Sequence, residues 1–380
     1  MEQLREDILD AYKKLMNWPS KDVLLIFHDD ADGITSGAIA YETLRRLGCN
    51  VNLVCIEKLM TQIINYIHST EGRIIFYVDI GSPHADKISK VNNSKNLVII
   101  LDHHDPSRAT DPLVFNINPE FYGMEGERDA SGSIMTYIFS KTIDSKNIDL
   151  APIAVIGAQE IPSEPRGLIL EAMKDADKLG KKLDYKNMFR ILQILGPVGY
   201  YQNGPIDGIK VCLEGLSKEY EEKAKLLEES RRKANKRMLA VLYRRGLNKT
   251  KHIQWFDSYN IYEGMGTKVI GTFCSFLSFQ KKLIDPNRYI LGIMPMPNEI
   301  PGLMKLEGSW VKISLRAPDN IRRKIDLGSY PGLGEIIVDL SEELGGTGDG
   351  HKYAASAAIP SNKKLDFITE LDEEIDQNIK

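Results

Sequence analysis

The chain has 380 residues, 42% hydrophobic and 27% charged, which is long for one typical domain, comfortable for two, and globular in composition. A formal net charge of −4 excludes a protein that attracts nucleic acid through its overall field, so such a partner has to be met by a local basic surface or through bound cations. Four scattered cysteines (Cys49, Cys55, Cys212, Cys274) with no C-x-x-C spacing exclude a zinc ribbon or a disulfide framework, and with no visible signal peptide or membrane-length apolar run they point to a cytoplasmic protein with reduced thiols.

The N-terminal half alternates strand and helix. An amphipathic helix is expected from about Glu2 to Met16, a strand at Val23 to Phe27, a helix from about Thr35 to Leu47 and a strand at Val51 to Ile56. A helix near Lys58 to His68 follows, then strands at Ile74 to Val78, Leu97 to Leu101 and Leu113 to Ile117. This is the βαβ rhythm of a parallel sheet. From Ala130 to about Leu195 the pattern turns helical, and Asp129 to Ser133 (DASGS) has the small and hydroxyl residues of a helix start, where free backbone N–H groups can hold an anion.

One long helix is expected from about Leu216 to Tyr243, with acids and bases paired at i, i+4 (Glu219 with Lys223, Glu221 with Lys225, Glu228 with Arg232, Glu229 with Lys233) and Gly246 as its stop. The basic stretch Arg231 to Lys251 reads either as a track for a single-stranded backbone or as a solvated linker helix. A second α/β region follows, with strands near Ile253, Tyr289 to Ile293 and Trp310 to Leu315. The fold class is therefore α/β: a parallel-sheet domain over residues 1–200, a helical linker over 201–248 and a smaller α/β domain over 249–380.

Three apolar runs end in acids and imidazoles. Val23 to Phe27 leads into His28, Asp30 and Asp32; Ile74 to Val78 into Asp79; Leu97 to Leu101 into Asp102, His103 and His104. Buried parallel strands read as continuous apolar runs, and open α/β sheets place their ligands at the carboxyl ends of such strands. That many carboxylates repel one another unless cations neutralise them. Mixed oxygen and imidazole donors suit manganese, zinc or iron, so the pattern reads as a di-metal centre. The bland alternative is that D-A-D-G is simply a turn. Asp30 and Asp32 point the same way if the strand tip stays extended, and with Asp79 one carboxylate can bridge two ions. His103 is the first-choice imidazole ligand. Asp102 is either a ligand or the partner that fixes an imidazole tautomer, and His104 can meet a phosphate oxygen or protonate a leaving group. His84 reads as a surface residue.

These residues resemble the first three motifs of the DHH phosphoesterase superfamily: D-x-D-G at Asp30 to Gly33, the lone Asp79, and Asp102–His103–His104. The spacing in DADGITSG is closer to RecJ-like nucleases of archaeal type than to inorganic pyrophosphatases or oligoribonucleases. At the far end, SLRAP (Ser314 to Pro318) and GGTGDGHKYAAS (Gly345 to Ser356) are similar to the S-x-R strand and the glycine-rich G-G-G-H signature of the DHH-associated C-terminal domain. The resemblance departs in two places. Ile161 stands where a fourth-motif Asp is usual, with Glu160 or Asp129 as substitutes, and Asp349 stands where a glycine is usual. RecJ relatives also often have Asp at the position of His28.

The resemblance implies a manganese-dependent phosphodiesterase with two ions (magnesium as the alternative) that hydrolyses single-stranded DNA or RNA from an end in a cleft between the domains. It implies ligands among His28, Asp30, Asp32, Asp79, Asp102 and His103, with His104 and Asp102 serving catalysis. Ser314, Arg316, Gly348, Gly350 and His351 would hold substrate phosphate, the glycines as a loop of backbone N–H donors. The competing readings are an oligoribonuclease or small-nucleotide phosphodiesterase, and a weakly catalytic replication-fork scaffold associated with GINS or other replication and repair proteins. No membrane partner is expected.

Overall fold

The structure is a computed structural model and describes residues 1–180 and 183–379. Its N-terminal sheet comprises β1 (Asp22–His28), β2 (Asn50–Ile56), β3 (Ile74–Val78), β4 (Leu97–Leu101) and β5 (Val114–Ile117). The strand order is β2-β1-β3-β4-β5 and every neighbouring pair is parallel. β3 and β4 are buried at every position, which is why their sequences show no alternation: helices cover both faces of a parallel sheet. The helices are α1 (Glu2–Asn17), α2 (Ala31–Arg46), α3 (Thr61–Ile67) and α4 (Ala85–Asn92), followed by α5 (Gly132–Ile143), α6 (Ala151–Gly157), α7 (Gly167–Lys178), α8 (Tyr185–Gly199) and α9 (Gly204–Glu214). α1 buries Leu4, Ile8, Ala11 and Leu15, the apolar stripe that predicted it.

The chain leaves β1 toward β2 on one side and then crosses to β3 on the other. The reversal of strand order therefore lies between β1 and β3, the place where open α/β sheets put their ligands. The residues at those ends are His28 and, after β3, Asp79.

One local expectation changes. α2 begins at Ala31, earlier than Thr35, because Asp30 is its N-cap and accepts from the Gly33 backbone N–H at 2.9 Å. Asp32 thus sits in the first helical turn, and the two acids are not neighbours on an extended tip. α4 connects β3 to β4.

The long helix is α10 (Lys218–Arg245). Glu228 pairs with Arg232 as expected and also with Arg231, whereas Lys223 turns from Glu219 to Asp207, at 2.5 Å. The chain divides within this helix into two compact units, Met1–Lys225 with Pro301–Leu303, and the remainder from Leu226.

The second unit contains β6 (Asn248–Lys249), β7 (Ile253–Asp257), β8 (Tyr289–Met296), the short pair β9 (Glu299–Ile300) and β10 (Met304–Lys305), then β11 (Trp310–Arg316), β12 (Thr347–His351) and β13 (Ala354–Pro360). The large sheet has the order β12-β13-β11-β8-β7-β6 and is antiparallel except where β7 meets β8. Its helices are α11 (Lys268–Leu277), α12 (Asp319–Asp326), α13 (Leu333–Glu343) and α14 (Lys364–Gln377). Leu291, Ile313, Leu315, Ile337, Phe367 and Leu371 lie in its core.

The expected glycine loop is largely a strand. Gly348 and Gly350 belong to β12, an edge strand paired with β13. A side chain at Gly348 would lie 2.4 Å from Ser341 Oγ and 2.6 Å from the Ile337 carbonyl, both on α13. Glycine there lets a helix lie against a strand.

Candidate metal centre and phosphate-binding face

His28, Asp30 and Asp79 bring one ligand atom each within 4.8 Å of one another, and so do Asp79, His103 and His104. Asp79 belongs to both groups. Its Oδ2 lies 3.6 Å from His28 Nδ1 and its Oδ1 3.5 Å from His103 Nε2. His28 Nδ1 is 3.1 Å from Asp30 Oδ2. Asp79 is buried, and its backbone adopts φ 58°, the left-handed region uncommon for any residue but glycine. Strain of that kind persists only where the surroundings impose it, here at the sheet's switch point.

Asp32 is held differently. Its carboxylate accepts from Ser131 Oγ (2.9 Å), the Gly132 N–H (2.6 Å) and the Ser133 N–H (3.1 Å), all at the start of α5. The anion-binding helix start read in DASGS is thus filled by the protein's own carboxylate. The same Gly132 lets Asp79 come close, since a Cβ there would lie 2.2 Å from Asp79 Oδ1. Asp32 remains 3.9 Å from His103 Nε2.

Asp102 directs both oxygens into the chain. Oδ2 accepts from the Ser82 N–H at 2.8 Å, while Oδ1 accepts from the His103 N–H at 2.8 Å and faces His104 Nδ1 at 2.7 Å. His103 Nδ1 meets the Gly126 carbonyl at 2.9 Å, which leaves Nε2 toward Asp79. His104 keeps a third of its side chain exposed.

The electrostatics are in conflict. Burial and then the charge of Asp79 push the Asp32 carboxyl well above its ordinary range, against opposing pulls from His103 and Ser133. Burial works against the charged form of His103, yet Asp79, Asp32 and Asp102 raise it well above a free imidazole. Burial likewise opposes the His104 charge, and Asp102 outweighs it and raises that group too. Asp102 itself is held far below the carboxylate range by His104, His103 and the Ser82 N–H, although burial acts the other way. Asp79 Oδ1 is buried with no hydrogen-bond donor. A buried acceptor without a donor, facing imidazoles and further carboxylates, fits divalent cations with mixed oxygen and nitrogen donors.

At the fourth-motif position Ile161 is buried, and the preceding Glu160 is near enough for its charge to raise Asp32. Asp129 is instead paired with Arg166 Nε at 2.9 Å. Asp29, a residue passed over in the sequence, is fully buried with Oδ1 3.3 Å from His28 Nε2. A third acid inside FHDDADG was the available signal, but nothing in the spacing set it apart from its neighbours.

In the second unit, Lys312, Ser314 and Arg316 alternate along β11 and share one face of the sheet. Ser356 stands opposite Ser314, and Asp349 opposite Ser356. Lys312 donates to Ser356 Oγ at 3.0 Å, and Ser356 donates to Asp349 at 2.7 Å. Arg316 donates through Nε to Ser275 Oγ at 2.8 Å and through Nη1 to the Leu315 carbonyl at 2.7 Å. Burial lowers the Arg316 guanidinium, and the charge of Asp349 partly offsets this. His351, at the end of β12, is exposed and pairs in register with Ala354.

Residues 22–158 match the family model for the DHH family, N-terminal domain. An uncharacterized protein of Methanocaldococcus jannaschii is 22% identical, with all of both chains covered. Among solved structures, RecJ of Thermus thermophilus in complex with Mn2+ matches with a TM-score of 0.66 and 15% identity, over 98% of this chain and 55% of that one. An exonuclease RecJ bound to manganese matches at 0.65 and 17%, over 98% and 94%. The chain thus spans about half the length of the T. thermophilus protein. At such identities the likeness shows the fold. Among the described residues no helix is long and apolar enough to cross a membrane.

Proposed function

For a chain that carries a DHH-family N-terminal domain on a RecJ-like fold, we propose a metal-dependent phosphodiesterase that releases nucleotides from an end of single-stranded DNA or RNA, with manganese as its ion. DHH-family proteins are metal-dependent phosphoesterases. The observation that carries it is Asp79, one buried carboxylate common to two groups of ligand atoms.

His28 Nδ1, Asp30 and Asp79 would hold one ion; Asp79 and His103 Nε2 would hold the second, with Asp32 beside them and Glu160 on the side where the usual Asp is replaced. Divalent ions held there would polarise phosphoryl oxygens and make water a better nucleophile near neutral pH. The chain's own residues do the rest. Asp102 fixes His104 through Nδ1, which leaves Nε2 of that partly exposed ring for the substrate. His104, whose basicity Asp102 raises, would deliver a proton to the departing sugar oxygen as the P–O bond breaks. On the second unit, Arg316 and His351 offer donors to substrate phosphate, with Ser314 on the same face as Arg316.

The test is incubation of purified protein with 5′- and 3′-labelled DNA and RNA oligonucleotides in manganese and in magnesium. Stepwise shortening of single strands, faster with manganese because an imidazole ligand disfavours magnesium, is the expected result. Cleavage confined to di- and trinucleotides would replace this reading with a small-nucleotide phosphodiesterase, and no cleavage in either metal would leave a scaffold.

A further inference from the structure

We propose that Asp29 is a positioning residue that holds His28 by its Nε2 so that Nδ1 faces the cation pocket it shares with Asp30 and Asp79. This inference rests on the metal-centre reading above. The His28 ring lies between acids: Nε2 is 3.3 Å from Asp29 Oδ1, and Nδ1 is 3.1 Å from Asp30 Oδ2 and 3.6 Å from Asp79 Oδ2. A neutral imidazole has one N–H and one lone pair. With the proton on Nδ1, the Nε2 lone pair would face the Asp29 carboxylate. With the proton on Nε2, its positive N–H lies beside the Asp29 carboxylate and the lone pair points at the pocket. Asp29 selects the second arrangement.

Asp29 cannot swing aside with its backbone. A Cβ at Gly196 on α8 would lie 1.8 Å from the Asp29 carbonyl oxygen, so α8 is packed directly against it. A carboxylate on the far nitrogen of a metal-binding histidine fixes the ring and raises its basicity, and its loss typically lowers metal affinity by about 10–100-fold.

The test is calorimetric titration of the full chain with manganese in four forms: wild type, Asp29→Asn, His28→Ala and the double variant. Asp29→Asn is expected to bind one ion about 10–100-fold more weakly and the other unchanged. The melting temperature of the chelator-treated protein should not fall, and the same substitution should add nothing once His28 is alanine. Asp29→Ser gives the same readings should the Asn variant not fold. Unchanged affinity for both ions, or an equal loss with and without His28, would overturn the proposal. Wild type that takes up no manganese removes the functional reading and this inference together, whereas tight wild-type binding with an unaffected Asp29→Asn removes only this inference.

Discussion

Two polar clusters of this chain are built on opposite electrostatic plans. At the strand ends of the first unit, Asp30, Asp32 and Asp79 are buried together, and Asp79 Oδ1 has no donor. On the sheet face of the second unit, Lys312, Ser356 and Asp349 form a hydrogen-bonded row, and Arg316 is braced by Ser275 and the Leu315 carbonyl. The first arrangement is destabilising as it stands and becomes favourable only when positive charge is added. The second is already close to internal balance. Buried groups left in conflict are what an added cation would relieve; the cations of the second cluster already have their partners.

Asp79→Ala should have the largest effect. Metal uptake and turnover are expected to vanish, while the chelator-treated protein melts at the same temperature or higher, because one repelling buried carboxylate has gone. Metal content by elemental analysis and a thermal melt check both halves, and a large drop in the melting temperature would mean that Asp79 is a structural acid.

His104→Ala comes next. Loss of a proton donor should lower kcat by about 10²–10⁴-fold with both ions retained, measured in single-turnover assays. Loss of an ion as well would make His104 a ligand, as its place beside Asp79 and His103 also permits.

Arg316→Ala carries the comparison into the second unit. Oligonucleotide binding should weaken by about ten- to a hundred-fold, with metal content unchanged. Arg316→Lys should also be impaired for want of the planar fork. Asp349→Gly is the smaller, opposite change: removal of the carboxylate that offsets Arg316 should tighten binding a few-fold, most visibly at low salt.

Asp175, outside both clusters, is the control. It accepts from Tyr137 and Lys178, each at 2.8 Å, and pairs with Lys141. Burial would raise its carboxyl, but Lys141, Lys178 and Tyr137 bring it below the ordinary range. A depressed folded value means stability that is full above the unfolded pKa and is lost as pH falls through the folded one. Asp175→Asn should cost about 1–3 kcal/mol at neutral pH in urea denaturation, with the difference from wild type shrinking below about pH 4.

The strands of the first unit were legible because burial on both faces removes alternation and leaves runs such as IIFYV and LVIIL, each broken by an acid at its end. Their tips named Asp79 and His103, the residues that now stand 3.5 Å apart. The first turn after β1 was not legible. D-A-D-G suits a turn, a helix cap and an extended tip alike, and only the Gly33 N–H to Asp30 bond shows the cap. The direction of Asp102 was open for a similar reason, since its partner Ser82 lies on another loop, twenty residues away in sequence. The glycines of β12 misled in the other direction. Their spacing resembles a phosphate loop, but the demand on Gly348 comes from Ser341 and Ile337 of α13, a tertiary contact that local sequence does not reveal.

The central claim is that Asp79 is shared between two cation positions. Crystals of the full chain soaked in manganese, with data collected at the manganese absorption edge, test it directly. The account predicts two anomalous peaks about 3.5–4 Å apart, one on each side of the Asp79 carboxylate, with His28 and Asp30 at one and His103 at the other. Peaks that do not touch Asp79, or none at saturating manganese, would contradict it.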